Sequence, residues 1–177
     1  MFNVRLMEQI QVVTAFAPGT DINTDASGDW VSLKNFSRCV VFLHKAAGTA
    51  GDDPSIKLQQ ATSAAGAGAK ALTFNHIYHK IGATALSAIG QFTRVDLATA
   101  TDDLDLVSVN GSDLLADVGE SLIAVEITAD DLDVDGGFCF LNLEIEGDDL
   151  SNSTLAAAWY VLYGAAYPGA QLVSAIA

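Results

Sequence analysis

Phe138-Cys139-Phe140-Leu141-Asn142-Leu143-Glu144-Ile145-Glu146 is the stretch that decides the fold class. Every second side chain from Cys139 to Ile145 is apolar. From Leu141 onward the intervening residues are polar, namely Asn142, Glu144 and Glu146. A period of two places successive side chains on opposite faces of an extended backbone. The stretch therefore predicts a β-strand with one face buried and the other in water.

The same pattern recurs along the chain. Ser121 to Thr128 alternates in the same way, whereas Cys39 to Leu43 and Leu155 to Tyr163 are apolar on both faces, as in central strands. Phe74 to Ile81 fits a strand or a helix, and we favour the strand. The weaker strand candidates are Trp30 to Leu33, Ile56 to Ala61, Phe92 to Leu97 and Leu106 to Val109, and the helix candidates are Met1 to Ala15 and Asp113 to Gly119.

Seven to nine short strands joined by loops rich in Gly, Asp, Ser and Thr predict an all-β protein. We expect an antiparallel β-sandwich, jelly-roll-like, with long loops and little helix. A length of 177 residues accommodates one such domain. We assign it to residues 30–177 and treat residues 1–29 as an N-terminal segment that could form an arm.

The charge of the chain is strongly negative and unevenly distributed. Twenty-two acidic residues against eight basic ones give a formal net charge of -14. Residues 1–94 hold all eight bases and six of the acids, so residues 95–177 hold sixteen acids and no base. Because binding to a phosphate backbone requires a surplus of Lys and Arg, the composition predicts no nucleic-acid partner.

Two cysteines, Cys39 and Cys139, are too few for a disulfide framework. Each lies in an apolar run, so we expect two free thiols in place of one bridge. A signal peptide would need an uninterrupted apolar core after Arg5, and polar residues interrupt it. The longest apolar stretch, Leu155 to Tyr167, is shorter than the roughly 20 residues that span a bilayer. These features predict synthesis in the cytoplasm and no membrane partner.

One acidic stretch resembles part of a calcium loop. Asp131, Asp133, Asp135 and the following glycine match the first half of an EF-hand, in which alternate carboxylates reach one ion. The twelfth position, however, is Asn142, where a bidentate Glu is required. We therefore predict an acidic turn between strands, with the Gly-Gly pair supplying positive φ, and no metal; a looser calcium site at these aspartates is the alternative.

No residues are arranged for catalysis. His76 and His79 stand three apart without a third ligand close in sequence, so we predict no metal site there. Cys39 and His44 lie at an odd separation in one predicted strand, which directs them to opposite faces. The sequence contains no Gly-x-Ser-x-Gly and no phosphate-binding loop. We predict that the protein is not an enzyme and needs no cofactor.

Aromatic residues cluster near the C-terminus, at Trp159, Tyr160, Tyr163 and Tyr167. Such side chains either fill the interior of a sandwich or lie at a subunit contact, where Tyr and Trp are enriched. Both interpretations stay open, because neighbouring residues of one strand point in opposite directions.

Five stretches of the sequence carry a resemblance to known proteins. They are Ile56 to Thr62, Gly66 to Asn75, Gly90 to Thr93, Ala129 to Asp133 and Leu162 to Pro168. They resemble a family of small proteins of tailed bacteriophages and prophages that are encoded near the major capsid protein, and the resemblance extends from about residue 30 to residue 168. It implies a capsid decoration (cement) or minor head protein of β-sandwich type, without catalytic residues, present in many copies on the capsid surface of the virion. Its implied partners are the major capsid protein and further copies of itself, as a homotrimer.

The uneven charge suggests how such a protein would be oriented. We hypothesise that Arg5, Lys34, Arg38, Lys45 and Lys57 help it dock on an acidic capsid surface while the acidic half faces solvent. The alternative is that these bases are solvated positions scattered over the fold. Two other functions fit the sequence less well: another structural phage component, such as a tail or head-completion protein, and a calcium-dependent carbohydrate-binding module.

Overall fold

The computed structural model describes residues 6–49, 54–82, 91–105, 108–109, 112–113, 119–147, 153–166 and 175–176. These residues form fourteen β-strands and two 3-10 turns, Leu6–Glu8 and Ala129–Asp131. None of the described residues belongs to a helix long and apolar enough to cross a membrane. The protein is thus all-β, as the sequence predicts.

Two six-stranded sheets account for most of the strands. Sheet A contains, in spatial order, β1 (Ile10–Asp21), β14 (Leu155–Ala165), β4 (Phe36–Lys45), β12 (Glu120–Thr128), β7 (Phe74–Gly82) and β8 (Thr93–Thr101). Sheet B contains β2 (Ala26–Ser27), β13 (Phe140–Glu146), β5 (Ser55–Ala61) and β6 (Lys70–Ala71), with β3 (Val31–Ser32) also on β13 and β9 (Asp103–Asp105) also on β5. A separate hairpin joins β10 (Ser108–Val109) to β11 (Ser112–Asp113).

The strands pair in a nested order that identifies the topology. The first strand, β1, pairs with the last, β14; β2 and β3 pair with β13; β4 pairs with β12; and β5 pairs with β9. The chain therefore folds back on itself as one long antiparallel ribbon, and successive pairs of the ribbon join alternate sheets. This is the arrangement of a jelly roll, with the β7–β8 hairpin added to the edge of sheet A. The predicted fold class is confirmed.

The core lies between the two sheets and is built from alternate residues of each strand. Leu141, Leu143 and Ile145 of β13 are at most 1% exposed and pack towards sheet A, as the alternation of that stretch predicts. Sheet A contributes the opposite wall of the core, chiefly from its three central strands. Its fully buried members include Cys39, Val41, Leu43, Ile123, Val125, Ile127, Ala158, Tyr160 and Leu162.

The predicted helix over Met1 to Ala15 is wrong for its second half, because residues from Ile10 onward form β1. This strand pairs with β14 through two register shifts, on either side of Phe16. A bulge adds a residue to one strand and breaks its period of two. The two buried residues of β1, Val13 and Phe16, are consequently three apart, which is the spacing expected of a helix. The residues predicted as an N-terminal segment thus supply strands to both sheets.

The remaining sequence predictions can be placed on this fold. Phe74 to Ile81 is a strand, β7, as favoured. Cys39 is a free thiol in the core, where burial raises its pKa well above the usual value, and Cys139 is a free, half-buried thiol. Residues 106–107 of the strand candidate Leu106 to Val109 lie outside the described residues, and so do residues 114–118 of the helix candidate Asp113 to Gly119.

Candidate functional site

The outer face of sheet A, meaning the side chains that point away from sheet B, carries an unusual number of apolar groups. Cross-strand neighbours on one face of a sheet have Cβ atoms about 4.5–5.5 Å apart, so the register determines which of them touch. Val12 is opposite Val161, which is opposite Val40 on the next strand. The apolar and aromatic members include, from β1 towards β8, Val12, Leu155, Trp159, Val161, Tyr163, Val40, Phe42, Leu122, Ala124, Tyr78 and Phe92.

Aromatic rings occupy the centre of the outer face of sheet A. Trp159 and Phe42 are cross-strand partners whose rings stack, with centroids 5.8 Å apart and planes 24° from parallel. The ring of Phe92 follows, with its centroid 6.5 Å from that of Phe42, and the ammonium of Lys80 lies 4.5 Å from the Phe92 centroid. Stacked and cation–π contacts of this kind hold the rings in place while leaving part of each exposed to solvent.

An apolar groove continues the outer face of sheet A towards its β1 edge. The bulges of β1 separate it from β14 and open a cavity of about 270 Å³. At this edge the side chain of Val12 is 51% exposed and that of Leu155 is 46% exposed. The groove is lined by Val12, Thr14, Phe16, Pro18, Ala157, Ala158 and Trp159.

Most charges on the outer face of sheet A are paired with one another. Its described residues include three permanent cations, Arg38, Lys80 and Arg94, and four carboxylates. One carboxylate, Asp21, lies at the β1 edge opposite Leu155 and accepts a hydrogen bond from the Ser153 hydroxyl at 2.7 Å. Each of the other three lies against a basic side chain of the same face, so the described charges of the face sum to -1. The pairs are Arg38–Glu126 at 3.0 Å, His44–Glu120 at 2.7 Å and Arg94–Asp96 at 2.6 Å.

Glu126 is the most strongly held of these carboxylates. The hydroxyl of Tyr163 donates a hydrogen bond to it, and the Arg38 guanidinium donates another. The Tyr163 hydroxyl first, and then the guanidinium, hold the pKa of Glu126 below its usual value despite partial burial. The carboxylate is thereby kept ionised and bound to its own face.

The outer face of sheet B has the opposite character. Its described residues include one lysine, Lys57, and four carboxylates, which together sum to a charge of -3. Lys57 is ion-paired with Glu146 and lies 3.5 Å from a carboxylate oxygen of Asp103. The amide of Gln59 donates to Glu144 at 2.8 Å. The sandwich thus presents one apolar, nearly neutral face and one polar, acidic face.

The bases predicted to dock do not form one patch. Lys34 is exposed in the loop before β4, Arg38 lies on the outer face of sheet A, and Lys57 lies on the outer face of sheet B. Lys45 is only 2% exposed, and its ammonium donates to the carbonyl oxygens of Ala46 at 3.1 Å and Gly119 at 3.4 Å, so it offers no docking surface. Arg5 lies outside the described residues.

The two halves of the chain do not occupy separate sides of the molecule. Because the strands are nested, those of residues 95–177 lie between those of residues 1–94 in both sheets. Ion pairs consequently join the halves, as in Arg38–Glu126, Lys57–Glu146 and Lys70–Asp133. The hypothesis of a basic docking half and an acidic solvent half is therefore corrected: the two halves of the chain are interleaved in space, and the difference in charge lies between the outer faces of the two sheets.

The aromatic residues of β14 divide between core and surface. Tyr160 is fully buried, and its hydroxyl oxygen accepts a hydrogen bond at 2.9 Å from the backbone N–H of Leu143. Burial raises its pKa well above the usual value. Tyr160 is therefore a core residue and is removed from the predicted interface. Trp159 and Tyr163 lie on the outer face of sheet A, and Tyr167 lies outside the described residues.

The acidic turn uses its carboxylates internally. Asp131 accepts hydrogen bonds from the backbone N–H and hydroxyl of Thr128 at 2.7 and 2.8 Å. Asp133 accepts from the backbone N–H of Gly136 and from Lys70, and both of its partners hold its pKa below the usual value. Gly137 has a φ of +83°, as the turn prediction requires. Among the described residues no three His, Cys, Asp or Glu side chains are grouped to hold a metal, and Asp135 joins no such group.

A polar cavity of about 410 Å³ opens where β4, β12 and β7 end. Arg38, His76, Glu126 and Asp131 line it together with the buried Phe74. Arg38 is bound to Glu126, and Asp131 is bound within its own turn. Arg38 and Glu126 therefore satisfy each other, Asp131 is satisfied by Thr128, and these bonds stabilise the end of sheet A.

The outer face of sheet A includes residues that the sequence did not single out, above all Val12, Val40, Phe42 and Phe92. The signal that could have found two of them is the apolar character of β4 on both faces. That pattern predicts a central strand with both of its faces buried. In the folded chain, however, Val40 and Phe42 are only partly buried.

No family model matches this sequence, and no curated protein matches it. Among solved structures, the chain is similar to the coat protein of Tobacco streak virus, with 13% sequence identity over 97% of this chain and 100% of that chain. The TM-score is 0.23. At this TM-score the two chains differ too much in geometry for the likeness to bear on function.

Proposed function

We propose that the protein is a structural, non-catalytic component of a virion, which binds the outside of a tailed-phage capsid and stabilises the shell. The observation that carries the proposal is the contrast between the two outer faces of the sandwich. One is apolar, aromatic and nearly neutral, and the other is polar and acidic. A protein of this kind is suited to be a subunit of an assembly, in which another protein covers one face and the other face lies in water.

The resemblance to phage decoration proteins and the jelly-roll topology support the same conclusion. Jelly rolls recur in capsid proteins and in lectins, so topology alone does not choose between these classes. The carboxylate of Asp131 is bound by Thr128 and that of Asp133 by Gly136 and Lys70, which counts against a calcium-dependent carbohydrate-binding module. A net charge of -14 also suits a position outside the shell, where the protein does not meet the packaged genome.

Stabilisation of the shell would follow from mass action. A protein that binds the assembled shell but not its separated subunits lowers the free energy of the assembled state by RT ln(1 + [L]/Kd). The increment is about 2.7 kcal/mol per site at 100 times Kd. Many copies on one shell would multiply this effect without any catalytic group.

The test uses phage particles that lack this protein. Purified protein is added, its position is found by cryo-electron microscopy, and the temperature at which the particles release DNA is measured with and without it. We expect regular density on the outer shell surface and a higher release temperature. Density at the tail or neck would support the alternative tail or head-completion role, and absence of binding would refute both.

A further inference from the structure

We infer that the outer face of sheet A is the contact between copies of this chain, in which it packs on the same face of a second copy. The inference deepens the proposed function and rests on it only for the setting in the virion: the protein that covers this face is a second copy, and the dimer contacts the shell through its remaining surface. The observations that carry it are the charge balance, the extent and the apolar composition of this face.

Charge decides which face can meet another copy. Two copies with a net charge of -14 each repel one another, but at physiological salt a charge is screened beyond about 8 Å. The local charge of the two approaching surfaces therefore determines whether they can touch. On the outer face of sheet B, carboxylates would oppose carboxylates across the contact. The described residues of the outer face of sheet A sum to a charge of only -1, which comes from Asp21 at its edge, and its ion pairs close within one copy.

The same charge balance favours a second copy over a different protein. An acidic protein binds a foreign partner most readily through unsatisfied carboxylates that face basic groups, which also accelerate the encounter. On this face Glu126 is already bound by Arg38 and Tyr163, and Asp96 is bound by Arg94 at 2.6 Å. What the face offers is apolar surface, and an identical face is complementary to it in hydrophobicity and in charge.

The face is large enough for a stable contact. Six strands about 4.8 Å apart are about 24 Å across, and nine residues at about 3.3 Å each extend about 30 Å. Their product, about 700 Å², is close to the roughly 800 Å² that each partner buries in a standard protein–protein interface. The stacked rings of Trp159 and Phe42 lie at its centre, where Trp and other large anchors contribute most to binding.

Contact between identical faces has a definite consequence for stoichiometry. Such an isologous contact is used up when two copies meet, so it produces a dimer. The homotrimer implied by the family resemblance would need two different faces on each copy. The mass of the protein in solution therefore tests the arrangement directly.

Sedimentation equilibrium of the purified full chain over about 1–500 µM provides the test. We expect a monomer–dimer equilibrium that ends at twice 18.4 kDa. Dimerisation should strengthen as NaCl is raised, because salt screens the repulsion between the acidic copies and leaves the apolar contact intact. A monomer at the highest concentration, or a trimer, would overturn the inference.

Two substitutions place a charge in the contact. Val161→Glu introduces it near the centre of the face, and Val12→Glu introduces it at the edge, where the side chain is 51% exposed and the fold has room for it. Each should raise the dimer dissociation constant at least about 100-fold, because a carboxylate would be buried without a partner. The matched control is Val134→Glu in the turn before β13, 59% exposed, which should leave dimerisation unchanged.

A dimer that survives both substitutions on the face, or that Val134→Glu weakens equally, would contradict the inference. If Val161→Glu fails to fold, Val12→Glu still decides the question. The particle-binding experiment separates this inference from the proposed function. A monomer that still binds particles would refute the contact between copies but not the proposed function. A dimer that does not bind particles would refute the proposed function but not the contact between copies.

Discussion

Removal of the Tyr160 hydroxyl is the sharpest test of the fold. The hydroxyl lies in the core and accepts a hydrogen bond from the backbone N–H of Leu143 at 2.9 Å. The carbonyl of Leu143 accepts from the N–H of Gly28 at 2.8 Å, and a Cβ on Gly28 would come within 2.9 Å of the hydroxyl. The Tyr160 hydroxyl oxygen thus lies between β13 and the segment at Gly28, and it takes the place of the backbone carbonyl that would otherwise accept from the N–H of Leu143.

The magnitude follows from what the substitution leaves behind. In Tyr160→Phe the N–H of Leu143 stays buried without an acceptor, since Tyr160 and Leu143 are 0% and 1% exposed. An unsatisfied buried donor costs about 1–3 kcal/mol of the free energy of unfolding. For a domain of this size each kcal/mol shifts Tm by about 2–4 °C, so the expected loss is about 2–12 °C.

Urea and thermal unfolding of the wild type and of Tyr160→Phe, followed by circular dichroism, measure this loss. The matched control is Tyr163→Phe, which removes a hydroxyl from the outer face of sheet A, where water can replace it; we expect a loss below about 1 kcal/mol. Dimerisation of Tyr160→Phe should be unchanged. Equal stability of Tyr160→Phe and the wild type, or a larger loss in the control, would show that Tyr160 is not the core residue described.

Three further substitutions test the ion pairing and the loops. The pKa of Glu126 is lowered in the folded state, so its stabilising effect is full above its usual pKa of 4.5 and is lost as the pH falls through the lowered value. Glu126→Gln should therefore be less stable than the wild type at neutral pH, with a difference that narrows in urea titrations at acid pH; a constant difference would contradict this. Gly66 and Gly68 have φ of +72° and +66°, but only at Gly66 would a Cβ meet a neighbour, Nε1 of Trp30 at 2.9 Å. Each change to Ala should cost about 1–2 kcal/mol for the left-handed backbone, and Gly66→Ala should cost more than Gly68→Ala in thermal unfolding.

The positions of most strands could be predicted because alternation is a local signal. Leu141, Leu143 and Ile145 are buried as their spacing predicts, and their polar neighbours point the other way. Phe16 shows the limit of this reasoning. The bulges beside it are set by pairing with β14, about 140 residues further along the chain, and a local pattern cannot contain them.

The candidate site could be predicted only in part. Trp159 and Tyr163 were expected at an interface and lie on the outer face of sheet A, but Tyr160 was expected there too and is in the core. Both faces of β14 are apolar, and a period of two separates the faces without saying which of them is buried. The sequence does not indicate Val12 as a surface residue of sheet A, because its segment has helical spacing and is predicted as a helix.

By itself the sequence determined the β class, the approximate strands and the excess of acid, since each of these depends on composition or on neighbouring residues. The tertiary structure alone decided where the charges lie. Cross-strand pairing sets Lys57 beside Glu146 and Arg38 beside Glu126, residues almost 90 positions apart. Because β-ladder hydrogen bonds join distant segments, only the folded sheets separate a nearly neutral, apolar face from an acidic one.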